Sequence, residues 1–415
     1  MPSTEAPDHH GSHRKLLSAP TDPTTTQQGI DAIIVPTARP PAYLDGATRL
    51  AQKLDCTLVT LHSREWTSAA KAAERLPWSV DLIAIDVPHP AHLRLPDWET
   101  SRQLTGTVFA RRTDLSTKRN LGLALSWLLG WTRVLFLDDD ITELDPEDVR
   151  QASGLLDTHN AVGLQVGGFP DNSVVCHAYR EAGGRQQTFI GGGALAIQVE
   201  RCNSFFPDIY NDDWFFLLDA DKGLQPTAVT GWVKQYPYDP YRPERARAEE
   251  LGDALAEGIY WLLDQGGSIK DADRDHWARF LHKRRHFIMR VLTMVSQDGT
   301  LEPTDKTRRV EALKGSLGRL ALITPKLCDD YLQAWMTDRR QWQRHLQKLH
   351  TRHIEHTRHI EQLPVSERLR LALDVLRRPG SAPLTWQPGG QYHLSADHVY
   401  RVPPSREGHL ADLGQ

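Results

Sequence analysis

Short apolar runs recur along the first third of the chain, and stretches of helical periodicity separate them. "DAIIVP" (31–36), "CTLVTLHS" (56–63), "DLIAIDVP" (81–88) and "RVLFL" (133–137) are near-continuous in apolar residues and do not alternate with polar ones. A strand that reads this way is buried on both faces, which requires a mostly parallel sheet with helices on either side. The intervening segments fit that requirement. "YLDGATRLAQKL" (43–54) is amphipathic, and "STKRNLGLALSWLLGW" (116–131) suits a mostly buried helix, with Ser116 as its N-cap and Gly130 helping to end it. The expectation is an α/β fold built from βαβ units.

The 415 residues suffice for one large domain or two ordinary ones, at 40% hydrophobic and 25% charged residues. Residues 1–29, rich in Pro, Thr, Ser and His, read as a disordered tail. Residues 30–240 read as the α/β domain, 241–378 as a helical region and 379–415 as a loose Pro/Gly-rich tail. The net charge of −4 argues against a general nucleic-acid binder. Cys56, Cys176, Cys202 and Cys328 form no CxxC pair and read as buried thiols of a reducing compartment. The N-terminus has no signal-peptide core. The longest apolar stretch (121–131) is far short of the roughly 20 residues that span a bilayer. A cytoplasmic protein with no transmembrane segment is therefore expected. A repeat, "TRHIEH" then "TRHIEQ" (351–362), sets His350, His353, His356 and His359 at steps of three, which suits a solvated, charge-paired helix face better than a metal stripe.

The run "RVLFLDDDITEL" (133–144) carries Asp138, Asp139 and Asp140 directly off a buried strand. Ligands of open α/β sheets bind beyond the carboxyl ends of the strands. A divalent cation of the Mg²⁺ or Mn²⁺ type prefers hard oxygens and is often held by one or two carboxylates, with phosphates completing its shell. Alternate residues of an extended segment point the same way, so Asp138 and Asp140 can share an ion while Asp139 turns away to support the loop. The bland alternative is a set of solvated acids capping the next helix. A second acidic pair, Asp212 and Asp213, precedes the aromatic run "WFFLL". A carboxylate at the edge of an apolar site suits a general base; the alternative is an N-cap by Asn211 or Asp212. Between the two pairs, Gly191, Gly192 and Gly193 allow close backbone approach to a ligand, or simply a tight turn. Arg111, Arg112, Lys118 and Arg119 gather near a helix start, where cations disfavour the helix and a phosphate partner would relieve the mismatch; a surface patch explains them equally.

Taken in order, "IIVPTARP", "KRNLGLALSWLLGWTRVLFLDDDI", "FIGGGALAI" and "NDDWFF" resemble the GT-A glycosyltransferases, most closely family 2 and its actinobacterial relatives. The resemblance covers about residues 30–235. It implies a Rossmann-like GT-A fold with an α-helical C-terminal extension. It also implies a hexosyltransferase-type activity: transfer of a sugar from a UDP- or GDP-sugar to an acceptor hydroxyl, inverting by analogy, with Mn²⁺ or Mg²⁺ as cofactor. Asp138 and Asp140 match the metal ligands. Pro36, Thr37, Arg39, Lys118, Arg119, Asn120 and Asp139 match the nucleotide-sugar side. Gly191, Gly192, Gly193 and Trp214 match the acceptor side, and Asp212 and Asp213 match the catalytic acids, with Asp213 as base. The second strand ends in "LHS" where the family carries an acid, so Ser63 or Asp86 stands in for the base-binding contact. The acidic pair is Asp-Asp where Glu-Asp is commoner. The C-terminal helices, through His276, Trp277 or His282, are expected to cover the acceptor, whose identity the resemblance leaves open.

Two other classes share features with this pattern. "FLDDDIT" fits the DxDxT signature of haloacid dehalogenase-type phosphohydrolases, with Asp138 as nucleophile and Asp140 as acid/base. That chemistry wants a lysine between its acidic motifs, and residues 143–211 contain none. A sugar nucleotidylyltransferase would need a Gly-rich basic loop where "PTARPP" stands. An inactive GT-A-like binding protein is the non-enzymatic alternative.

Overall fold

The computed structural model describes residues 13–18, 29–63, 67–167, 173–185, 190–356, 363–382, 384, 386–388, 392–394 and 399–401. Its strands are β1 (Ala32–Thr37), β2 (Thr57–Ser63), β3 (Leu82–Val87), β4 (Arg133–Leu137), β5 (Ile141–Thr142), β6 (Ala161–Gly167), β7 (Ala194–Gln198), β8 (Leu218–Asp219), β9 (Gly223–Leu224), β10 (Thr227–Gln235), β11 (Trp386–Pro388), β12 (Tyr392–Leu394) and β13 (Val399–Arg401). Its helices are α1 (Asp45–Leu54), α2 (Ala69–Arg75), α3 (Glu99–Leu104), α4 (Leu115–Leu129), α5 (Pro146–Leu155), α6 (Val174–Glu181), α7 (Asp212–Leu217), α8 (Pro243–Asp264), α9 (Arg274–Gln297), α10 (Pro303–Leu320), α11 (Pro325–His356) and α12 (Val365–Leu376). Nine strands form one sheet in the order β11-β3-β2-β1-β4-β7-β6-β10-β5. Strands β1 to β4 pair in parallel, as do β6 and β10, while β7, β5 and β11 run antiparallel to their neighbours. The mostly parallel α/β fold expected from the apolar runs is present.

Strand β1 shows why those runs are continuous. Ile33 and Val35 face one apolar cluster with Leu50 of α1, Ala72 of α2 and Val149 of α5. Ala32 and Ile34 face the other, with Leu121 and Leu125 of α4. A side-chain period of two then needs apolar residues at every position. Gly122 of α4 lies so near β1 that an added Cβ would sit 2.9 Å from Ile34, which explains a glycine inside a buried helix. That helix begins one residue before the expected cap. Ser116 lies inside it and donates to the Pro207 carbonyl at 3.0 Å, while Gly130 ends it in the left-handed conformation at φ 72°.

The helical region after residue 241 shares a core with the sheet: Trp277, Trp335 and Trp342 join the apolar cluster that holds Ala32 and Ile34. His276 and Trp277 lie in the interior. They are buried between α8 and α9, with His276 Nε2 3.1 Å from the Gly258 carbonyl and Trp277 filling the space above Gly258. His282 is exposed, its ring 4.4 Å from that of His286.

Both expected tails contribute structure. Residues 13–18 form a short 3₁₀ turn, and Ser18 donates to Thr227 of β10 at 3.0 Å. Trp386–Pro388 extend the sheet beside β3. Helix α11 runs through the first histidine repeat to His356, and the second repeat, with His359, lies outside the described residues. All four cysteines are buried and unbridged. Among the described residues, no helix is long and apolar enough to cross a membrane.

Candidate active site

The sheet topology brings four distant sequence segments to one edge. Strand β4 lies between β1 and β7, so Asp138–Asp140 emerge beside the end of β1 and the entry to β7. Asp138 donates its backbone N–H to the Gly193 carbonyl at 2.9 Å, which ties the aspartate turn to the glycine segment. The cations that offset the three carboxylates are two arginines. Arg39, just beyond β1, pairs with Asp139 and, at 3.1 Å, with Asp140. Arg119 of α4 pairs with Asp138 at 3.0 Å.

Asp139 is buried and also accepts from Thr37 Oγ1 at 2.7 Å, so it faces the β1 end. Asp140 shares Arg39 with Asp139 and also accepts from the Gln235 amide at 3.3 Å. Burial, and then the neighbouring charge of Asp138, push the Asp140 carboxyl up to about 6 despite Arg39. Beside it, the Gln235 carbonyl oxygen is buried without a partner.

Arg119 joins the two acidic motifs. One guanidinium nitrogen donates to Asp138, and the other donates to Asp212 at 2.8 Å. Burial pulls its pKa down, but Asp212 and Asp138 outweigh burial and hold it far above the ordinary arginine value. Asp212 starts α7 and leaves its second oxygen buried and unpartnered. Asp213 accepts from Gly192 N–H at 2.5 Å on one oxygen and from Trp214 N–H at 2.9 Å on the other. Of the three glycines, Gly192 is the one this approach requires. A Cβ on Gly192 would lie 2.9 Å from Asp213 Cβ and 3.0 Å from Arg119, and one on Gly193 would lie 3.6 Å from Asp138. Asn211 does not cap α7 through its side chain, whereas Asp212 Oδ1 accepts from the Asp213 N–H of the first turn at 3.1 Å. Asn211 enters the helix at φ 61° and gives its amide to Asp253 at 2.9 Å. Asparagine tolerates that left-handed backbone better than most residues.

The Lys118–Asn120 segment is buried and bonded inward. Lys118 donates to the Thr37 carbonyl at 2.8 Å and contacts Ser63 and Asp114, so it ties the ends of β1 and β2 together. Asn120 exchanges two hydrogen bonds with the Phe206 backbone, at 2.7 and 2.9 Å. Pro36 is buried within β1, opposite Leu61. Asp86 accepts from Ala69 N–H at the start of α2. The acid beside Ser63 is Asp114, which accepts from its hydroxyl at 2.8 and 3.0 Å.

Three polar residues of this edge escaped the sequence reading: Asp114, Asp208 and Gln235. Burial raises Asp208 to about 6, and one of its carboxylate oxygens lacks a partner. Gln235 ends β10 and carries no local signal that it would face an aspartate 95 positions earlier. Among the described residues, no group of three or more His, Cys, Asp and Glu side chains is arranged to hold a metal. Any ion here would rest on two carboxylates and a ligand's own oxygens.

No protein-family model matches the chain, and no curated protein matches it. Among solved structures, the mannosyltransferase PcManGT from Pyrobaculum calidifontis, in complex with GDP-Man and Mn²⁺, is similar at a TM-score of 0.39 and 16% identity, over 77% of this chain and 88% of that one.

Proposed function

We propose that this chain is a metal-assisted glycosyltransferase that moves a sugar from a nucleoside diphosphate sugar to an acceptor hydroxyl. The observation that carries the reading is the Arg119 bridge: one buried guanidinium spans Asp138 and Asp212, with the Gly191–Gly193 segment against both acidic motifs. Sugar transfer needs those two functions side by side, charge neutralisation at the leaving group and a base at the acceptor.

Asp138 and Asp140 are the residues that would hold Mn²⁺ or Mg²⁺. They fit such an ion by their hard oxygens, by the burial and the neighbouring Asp138 charge that raise Asp140, and by the unpartnered Gln235 side-chain oxygen alongside. When bound, the ion supplies positive charge against the departing diphosphate. Arg39 is two-fifths exposed at its side chain, so it can release Asp140 and turn to a phosphate while Thr37 keeps Asp139 in place. Ser63 and Asp114 offer a hydroxyl and a carboxylate to the nucleotide at the β2 end. Asp213 takes the acceptor proton, its orientation held by the Gly192 and Trp214 amides. Arg119 holds Asp212 and Asp138 apart on its two guanidinium nitrogens.

The test is thermal stability with UDP, GDP and their sugars, with and without Mn²⁺, on wild type and Asp140→Ala. Stabilisation that needs metal and nucleotide together and vanishes in the variant is the expected result. No response to any nucleotide would remove the reading.

A further inference from the structure

Outside the aspartate edge, the densest group of buried charge lies along one face of α8. Glu250, Asp253, Glu257 and Asp264 recur at helical spacing, and Glu250, Asp253 and Glu257 are buried, as is the side chain of Asp264. Buried carboxylates need partners. Arg284 of α9 serves the first two, at 2.6 Å to Glu250 and 2.8 Å to Asp253. The other two are served by the N-terminal arm. His13 is buried with Nδ1 on Asp264 and Nε2 3.4 Å from Glu257, and Lys15 donates to the Asp264 carbonyl at 2.5 Å. Among the described residues, the side chains paired directly with the Glu257 and Asp264 carboxylates are those of His13 and Lys15.

The same imidazole reaches the candidate active site. Its ring stands edge-on to Trp214 at 5.8 Å between centroids, and Tyr260 packs against both, 4.6 Å from Trp214 and 5.7 Å from His13, while its hydroxyl donates to the Trp214 carbonyl at 2.8 Å. Trp214 is the residue whose N–H orients Asp213. Leu16 and Leu17 pack on the apolar core, and Ser18 joins the start of β10. The arm thus has a cationic anchor, apolar support and a backbone tie, all on elements that border the acids.

We infer that His13 is a positioning residue: docking of the arm neutralises the Glu257–Asp264 end of α8 and holds Trp214, and through it the start of α7 with Asp213. Its contact with catalysis rests on the reading of Asp213 given above, whereas its effect on α7 does not.

The experiment uses the full chain as wild type, His13→Leu and His13→Lys, with far-UV circular dichroism to establish folding. Amide hydrogen exchange is followed in peptides covering 212–217, 257–264 and 133–137. The expected result is at least tenfold faster exchange of 212–217 and 257–264 in His13→Leu, recovery in His13→Lys, and no change in 133–137. In parallel, Mn²⁺-dependent hydrolysis of UDP- and GDP-sugars should show a fall in kcat with donor KM within about twofold. Unchanged exchange at 212–217 in a folded His13→Leu protein overturns the inference. So does a loss that His13→Lys fails to restore. If wild type hydrolyses and binds no donor, the transferase reading fails, and the exchange arm still decides the role of His13.

Discussion

Arg119 lies 2.8 Å from Asp212, a residue 93 positions later, and the same guanidinium holds Asp138. Replacing it with Met keeps most of the volume and removes the charge. The two carboxylates are then left without their cation in a largely buried site, which costs about 3–5 kcal/mol. Urea unfolding should show that loss, and the double variant Arg119→Met/Asp212→Asn should recover part of it. An Arg119→Met protein as stable as wild type would mean that the bridge contributes nothing.

Among the three glycines 191–193, Gly192 is where a side chain has least room. Its Cβ would meet Asp213 and Arg119 at 2.9 and 3.0 Å, and both belong to the acid pair's setting. Gly192→Ala should lower stability by roughly 1–3 kcal/mol. It should lower turnover of a nucleotide-sugar donor far more, by about a hundredfold, because a shift of an ångström at a reacting group costs that much. Kinetics and unfolding on the same preparation separate the two effects. Equal, small effects on both would argue that the segment does not border the reaction.

Removal of metal should distinguish the transferase from its hydrolase rival. EDTA should abolish nucleotide-induced stabilisation of the wild type, and Asp140→Asn should lack it from the start. At a hundredfold excess of nucleotide over its Kd the lost stabilisation is about 2.7 kcal/mol. Phosphoester hydrolysis that Asp138→Asn abolishes, with no nucleotide response, would favour the haloacid dehalogenase-type chemistry instead.

Glu249 yields a pH prediction remote from the aspartate turn. Burial first, countered by Arg245 and augmented by Asp253, raises its carboxyl to about 7 from an ordinary 4.5. The folded protein therefore binds more protons than the unfolded chain between those values, so this group's contribution falls as pH rises from about 4.5 to 7. Its full extent is on the order of 3 kcal/mol. Urea midpoints at pH 5, 6 and 7 should decline less steeply in Glu249→Gln than in wild type. Identical slopes would show that Glu249 is ionised throughout.

The chain itself determined the layered fold and the location of the acids. Continuous runs such as "AIIV" and "VLFL" can be satisfied only by strands covered on both faces, and "DDD" after such a run must lie at a strand end. These are local properties, set by side-chain period and apolarity. What each acid would face was decided by tertiary structure. The positions of Arg39, Arg119 and Gln235 around the aspartates depend on strand order, which links residues up to about a hundred positions apart. Strand β10 escaped sequence reading, and with it Gln235. Lys118 and Asn120 stand near a helix start, and burial of α4 on the sheet has them tie strand ends and loops together, which no local pattern announces. The arm at His13–Ser18 has the composition of a loose tail. Its order comes from carboxylates on α8, some 250 residues away, whose desolvation makes a cation necessary there.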